Sequence, residues 1–215
     1  MITQWSFSRY KTYKQCPRKI KYQYIDGLKS PGSPATDRGQ TLHKAGEMYL
    51  NHELDELPQE FTGFNERMAK LREIRAYAEE QWSFTDNWAV TTWRAPDAWC
   101  RMGIDVNFRF TTGKMAIIDF KSGRIYDDSK EQMSLYALGA FLRDDELQEV
   151  KTELWYLDQK ETLGCDYSRN QLETLRDTWQ RNVHHLLNDT IFPARPGPLC
   201  KYCHFRKANF GPCEY

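Results

Sequence analysis

Met115-Ala116-Ile117-Ile118 is an apolar run entered through the turn residues Thr111-Thr112-Gly113-Lys114 and closed by Asp119-Phe120-Lys121. A run this short, bounded by turn signals and charge, reads as a buried strand over Met115–Phe120. It is far too short to cross a bilayer. Side chains at i and i+2 share one face of a strand, so Asp119 and Lys121 point together while Phe120 points into the core. The stretch from Asn87 to Phe110 is rich in Trp, Val, Thr and Phe without sustained helical periodicity, and Thr152–Leu157 reads as another strand.

Around these strands the pattern is helical. Ser8 caps a helix running toward Gln15, and Pro17 opens another to about Ile25. Further helices are expected over Asp37–Asn51, Phe61–Trp82, Asp128–Leu142 and, capped by Ser168, to Asn188. After Ile191 the chain turns to Pro, Gly and Cys. This order predicts an α/β fold with a mixed central sheet flanked by helices, plus N-terminal helices and a C-terminal cysteine-bearing tail. The 215 residues, 40% hydrophobic with thirty aromatics, suit one domain: residues 1–30 as basic helices, 37–190 as the core and 191–215 as the tail.

Thirty Lys and Arg balance thirty Asp and Glu, which taken alone argues against a protein that grips nucleic acid by bulk positive charge. The charge is unevenly placed, however. Residues 1–30 hold seven bases and one acid, whereas residues 127–166 hold eleven acids and four bases. Tyr10, Tyr13, Tyr22 and Tyr24 alternate with the N-terminal bases, a pattern that fits stacking beside a phosphate backbone and fits equally an amphipathic helix with its rings in the core. No apolar leader or membrane span is evident, so the expected setting is a reducing cytoplasm, where six cysteines are not expected to pair as disulfides.

Three further patterns bear on chemistry. Gly103-Ile104-Asp105 lies on the strand that the 111–114 turn folds back beside Asp119, giving an oxygen-rich pair suited to Mg²⁺ or Mn²⁺. His43 and Glu47 stand at i and i+4 on one helix face, where the imidazole can add a nitrogen ligand and Glu47 an outer-shell carboxylate. Gln132 and Tyr136 repeat that spacing on the helix after Lys121, placed to orient the lysine or meet a phosphate. In the tail, Cys200-x-x-Cys203 followed by Cys213 favours a metal or cluster site. Cys16 would complete four thiolates for zinc or an iron–sulfur cluster, and His204 would allow a Cys₃His zinc site without it. Cys100 and Cys165 have no motif partner and read as packing thiols.

The ordered set Gly39-x-x-Leu42-His43, Gly103-x-Asp105, Asp119-x-Lys121 with Gly123, and Gln132-x-x-x-Tyr136 resembles the RecB-like branch of the PD-(D/E)xK nuclease superfamily. The segment Ser6 to Lys19 with the three-cysteine tail is similar to its iron–sulfur members, among them CRISPR-associated adaptation exonucleases, AddB nuclease domains and phage relatives. The resemblance implies a restriction-endonuclease-like core and a metal-dependent DNA exonuclease acting in recombination, repair or processing on a single strand or DNA ends. It implies that His43, Asp105, Asp119 and the carbonyl of Phe120 hold Mg²⁺ or Mn²⁺, and that Lys121 assists the attacking water. It also implies a [4Fe–4S] cluster on Cys16, Cys200, Cys203 and Cys213. A site joining residue 16 to residues 200–213 would tie the chain ends together, so a structural role is expected for it, and the basic N-terminal segment makes Arg9, Lys14 and Arg18 the expected DNA contacts beside it. Competing expectations are a structure-dependent endonuclease and a non-catalytic DNA-binding module on the same fold. Two departures stand out: Asp119 replaces the more usual Glu, and nine residues separate Cys203 from Cys213.

Overall fold

The computed structural model describes residues 1–125 and 129–215, and its contacts divide them into two compact units, residues 33–177 and residues 1–32 with 178–215. Among the described residues no helix is long and apolar enough to cross a membrane.

The unit of residues 33–177 is built on one mixed six-stranded sheet. After α3 (Pro34–Leu50) and α4 (Asn65–Glu73) come β1 (Tyr77–Phe84), β2 (Val90–Thr91), β3 (Cys100–Thr111), β4 (Lys114–Lys121), α5 (Ser129–Arg143), β5 (Glu149–Tyr156) and β6 (Glu161–Ser168). Spatial order is β2-β1-β3-β4-β5-β6, with β4 and β5 parallel and the other pairs antiparallel. The one parallel step is the one that needs a crossover, and α5 provides it. Ile118 and Phe120 of β4 and Trp155 of β5 pack with Leu42, Phe61, Phe64 and Met68 from the α3 and α4 segments. Leu154 and Tyr156 pack instead with Met133 of α5. The sheet is therefore covered by helices on both faces, the restriction-endonuclease-like arrangement expected.

The long helix expected over Phe61–Trp82 is not formed. Its apolar stripe of Phe64, Met68 and Leu71 does make α4, but Arg75 adopts a left-handed backbone (φ 55°), and Ala76 N–H closes on Leu71 C=O at 2.9 Å. That is the geometry that usually ends a helix at glycine. The chain then enters β1, whose helix-favouring Glu80 and Gln81 are held extended by pairing with Ile104 and Gly103 of β3, while Glu79 between Ala78 and Glu80 stands outside the register. The edge strand β6, polar and interrupted by Gly164, adds a strand that periodicity did not reveal. The helix after β4 is described from Ser129; Asp128, its expected first residue, lies outside the described residues.

The other unit comprises α1 (Phe7–Gln15), α2 (Pro17–Ile20), a π-helical turn (Lys21–Ile25), the second half of α6 (Leu172–Asn188) and the tail. Ser6 caps α1, where Ser8 was expected to. Trp5 stacks on Trp179 at 5.7 Å, and Tyr10 meets the same indole edge-on at 5.3 Å. The two chain ends are stitched by polar contacts: Tyr13 OH donates to Asp189 at 2.7 Å, Arg18 Nε to Phe192 C=O at 2.8 Å, Arg195 to Lys14 C=O at 2.7 Å and Tyr22 OH to Pro212 C=O at 3.3 Å.

Candidate active site and cysteine-lined cavity

Helix α3 reaches the sheet because Gly46 lacks a side chain: a Cβ there would stand 2.6 Å from the Phe120 ring. This approach delivers His43 to the end of the sheet, its ring 6.1 Å from that of Phe120 and its Nδ1 3.1 Å from Asp105 Oδ1. The other Asp105 oxygen accepts Phe120 N–H at 2.7 Å. The Phe120 side chain is buried in the core, as its strand position required.

Asp119 and Lys121 share a face, with Lys121 Nζ 2.6 Å from Asp119 Oδ2. Gln132 Nε2 donates to Asp119 Oδ1 at 3.0 Å, and Tyr136 OH makes a short hydrogen bond to the same oxygen. The pair on α5 thus orients Asp119 directly, rather than Lys121. Asp119 Oδ2 is buried, and its contact with Lys121 lacks hydrogen-bond geometry, which leaves a carboxylate lone pair without a directional donor.

The electrostatics match a site short of positive charge. Burial, then the charge of Asp119, raises the Asp105 carboxyl above its ordinary range, against the lowering effect of His43 and Phe120 N–H. Burial would lower His43, but its hydrogen bond to Asp105 and the charges of Asp105 and Asp119 carry it up to about 9. Lys121 is likewise depressed by burial and raised overall by Asp119 and Asp105, so it stays an ammonium. Burial and the two aspartates push Tyr136 well up, so it stays a phenol that can donate.

Sequence reasoning missed Glu79. It lies on β1 with a left-handed backbone (φ 52°), and one oxygen of its carboxylate gathers with donor atoms of His43 and Asp105, all within 4.8 Å of one another. No motif marked it, because Glu79 and its neighbours looked like helix. Its carboxyl is pushed up to about 7 by burial and then by Asp105. Glu47 lines the same open cleft of about 460 Å³, alongside His43, Lys44 and Glu79, and pairs with Lys44 at 2.8 Å. Oxygen and imidazole donors with crowded negative charge fit a hard divalent cation, which would relieve the repulsion that raises Asp105 and Glu79. Asp119 faces Lys121 and α5 and stands outside that three-residue group.

In the other unit, Cys16, Cys200, Cys203 and Cys213 all line one cavity of about 290 Å³. Cys16 sits at the junction of α1 and α2, between Gln15 and Pro17. The nine-residue interval before Cys213 folds back on itself. A 3₁₀ turn over Lys207–Asn209 leads to left-handed Phe210, and Gly211 lies so close to Phe205 that a Cβ would stand 2.3 Å from its carbonyl. Cys213 N–H then donates to Phe205 C=O at 2.8 Å. Cys16 is part of that lining and His204 is not. Cys100 is fully buried in the sheet, where burial pushes its thiol up, and Cys165 lies on β6.

The N-terminal tyrosines follow the packing alternative. Tyr10, Tyr13 and Tyr22 are buried; Tyr24 is exposed and carries the Arg9 guanidinium 4.2 Å over its ring. Arg9 also donates to Gln4 C=O at 2.8 Å, Lys14 lies 5.4 Å over Tyr10, and Arg18 is used to hold Phe192 C=O, with Glu214 3.9 Å away.

A family model described as the PD-(D/E)XK nuclease superfamily matches residues 4–208. Among solved structures, "Crystal structure of SSO0001" is similar at 14% identity and a TM-score of 0.46, over 94% of this chain and 84% of that one. "Crystal Structure of LHK-Exo in complex with dAMP" is similar at 11% identity and a TM-score of 0.45, over 86% and 87%. No curated protein matches the chain by sequence.

Proposed function

The chain belongs to the PD-(D/E)XK nuclease superfamily, and from that premise we propose that it is a divalent-metal-dependent DNA exonuclease of the RecB-like, iron–sulfur kind. The observation that carries the nuclease reading is the convergence of His43, Asp105, Asp119 and Lys121 at one end of the sheet, with Asp119 fixed by Gln132 and Tyr136. His43, Glu79 and Asp105 would hold Mg²⁺ or Mn²⁺, and Asp119 and the Phe120 carbonyl are the further ligands that the motif set implies. Bound there, the cation supplies electrophilic stabilisation of phosphoryl oxygens and a more acidic water. Lys121, kept protonated by Asp119, places a fixed positive charge where negative charge grows on the phosphate. Tyr136 and Gln132 donate to Asp119 Oδ1, while Lys121 stands against Oδ2. Glu47, paired with Lys44, serves as an outer carboxylate of the cleft.

Support for the cluster is the gathering of four thiols round one cavity, with Arg195, Arg206 and Lys19 also in its lining to offset anionic charge. Support for exonuclease action is the likeness of the motif set to iron–sulfur exonucleases. End-labelled linear DNA should be degraded with Mg²⁺ or Mn²⁺ while a covalently closed circle survives. Cleavage of the circle would make the protein an endonuclease, and no cleavage of any DNA would leave only a binding module. Iron and sulfide analysis of anaerobically purified protein separates a cluster from zinc.

A further inference from the structure

The cysteine-bearing unit holds twelve lysines and arginines against three acids, a surplus matched by eighteen bases against twenty-seven acids in the sheet unit. Its N-terminal cations are largely engaged with the unit's own groups, as described for Arg9, Lys14 and Arg18. The tail differs. An open groove of about 490 Å³ is lined by Cys200, Lys201, Arg206, Lys207 and Tyr215. Lys201, Lys207 and Tyr215 are exposed, and Arg206 Nε is buried without a hydrogen-bond partner. Phe210, three residues after Lys207 and outside the groove's own lining, is held wholly in solvent on a left-handed backbone. Tyr202 is 69% exposed beneath the Lys201 ammonium, 4.8 Å from its ring.

We propose that this tail groove is a binding surface for single-stranded nucleic acid, with Lys201, Arg206 and Lys207 meeting phosphates and Tyr215 and Phe210 stacking on bases. It rests on the nuclease reading for its choice of partner. Cations interleaved with solvent-held rings are what a single strand requires: a charged track for its backbone and flat apolar faces for unpaired bases. A duplex hides those base faces, and an acidic peptide has no use for the rings as planar platforms. Arg206 lines both this groove and the cysteine cavity, so a strand in the groove adds negative charge next to whatever the four thiols hold.

The test is fluorescence anisotropy with a labelled oligothymidine of about 20 nucleotides, on the full chain purified anaerobically, with iron content measured and no divalent metal added. Tyr215→Ala and Phe210→Ala should each weaken binding about fivefold or more, and Tyr215→Phe should restore it, since the ring rather than the hydroxyl is used. Lys201→Gln and Lys207→Gln should each lower the slope of log affinity against log salt by about 0.7. Tyr77→Ala, an exposed ring of the sheet unit, is the control and should change nothing. Wild-type affinity and salt slope in all the tail variants, or an equal loss for duplex and single strand, overturns the proposal. A dimer in sedimentation that Phe210→Ala dissociates, with DNA affinity unchanged, would do the same by giving the rings to a second copy. Metal-dependent cleavage with unaltered binding in the tail variants sinks this inference alone. Tight oligothymidine binding without cleavage sinks the nuclease reading and leaves the groove standing.

Discussion

Asp119 is held by three groups of different chemistry: the Lys121 ammonium on one oxygen, and the Gln132 amide and Tyr136 phenol on the other. Removing its charge while keeping its shape should be decisive. Asp119→Asn is expected to lower DNA cleavage about a hundredfold to a thousandfold, because it removes the negative charge that would help to hold the cation and that keeps Lys121 protonated. Glu79→Gln tests the ligand that had no motif. Calorimetric Mn²⁺ affinity without DNA should fall about tenfold or more, and an unchanged affinity would remove Glu79 from the site. A third residue-scale outcome concerns pH. Asp189 opposes the cost of burial by accepting from Phe192 N–H, Tyr13 OH and Ile191 N–H, and its carboxyl is held below the usual range. A depressed carboxylate binds fewer protons folded than unfolded, so its stabilisation is present above about pH 4 and is lost as pH falls through the lower folded value. Urea melts of Asp189→Asn should therefore show less acid destabilisation than the wild type below pH 4, though lower stability at neutral pH.

At the scale of elements, two glycines decide where side chains arrive. Gly46 lets α3 lie on Phe120, and that contact brings His43 to Asp105. Gly46→Ala forces the ring or the helix to move, so a loss of about 1–3 kcal/mol in stability is expected by denaturant melt, with weaker Mn²⁺ binding. Gly211 plays the same part in the tail, where the obstacle is backbone and cannot rotate away. On the iron–sulfur proposal, Gly211→Ala should lower bound iron in anaerobic preparations; full iron occupancy would show that this close approach is not what places Cys213. The elements themselves were readable in unequal measure. Met115–Phe120 and the helix after Ser168 carried strong signals, an apolar run between turns and an N-cap, and both formed. The Phe61–Trp82 segment was misread because its helix ends at Arg75 without the usual glycine, and because β1 owes its existence to pairing with β3.

At the scale of the whole molecule, zero net charge conceals a polarity that follows the two compact units. The segment tally of residues 1–30 showed only part of it, since Arg181, Arg195, Lys201, Arg206 and Lys207 belong to the same unit from the far end of the chain. DNA affinity is accordingly expected to fall steeply with salt despite an isoelectric point near 7.0, measured as the slope of log affinity against log salt. By itself the sequence determined the chemistry available: which carboxylates, lysine, imidazole and thiols exist, and that Asp119 and Lys121 must share a strand face, because a two-residue period is a property of the backbone. Tertiary structure decided which of them meet. It turned Gln132 and Tyr136 onto Asp119, brought Glu79 to His43 through a left-handed residue, and decided between stacking and core packing by burying Tyr10, Tyr13 and Tyr22. It also folded a nine-residue interval so that Cys213 lines the same cavity as Cys16. Those outcomes depend on close approaches between segments distant in sequence, governed by packing and electrostatics that no local pattern records.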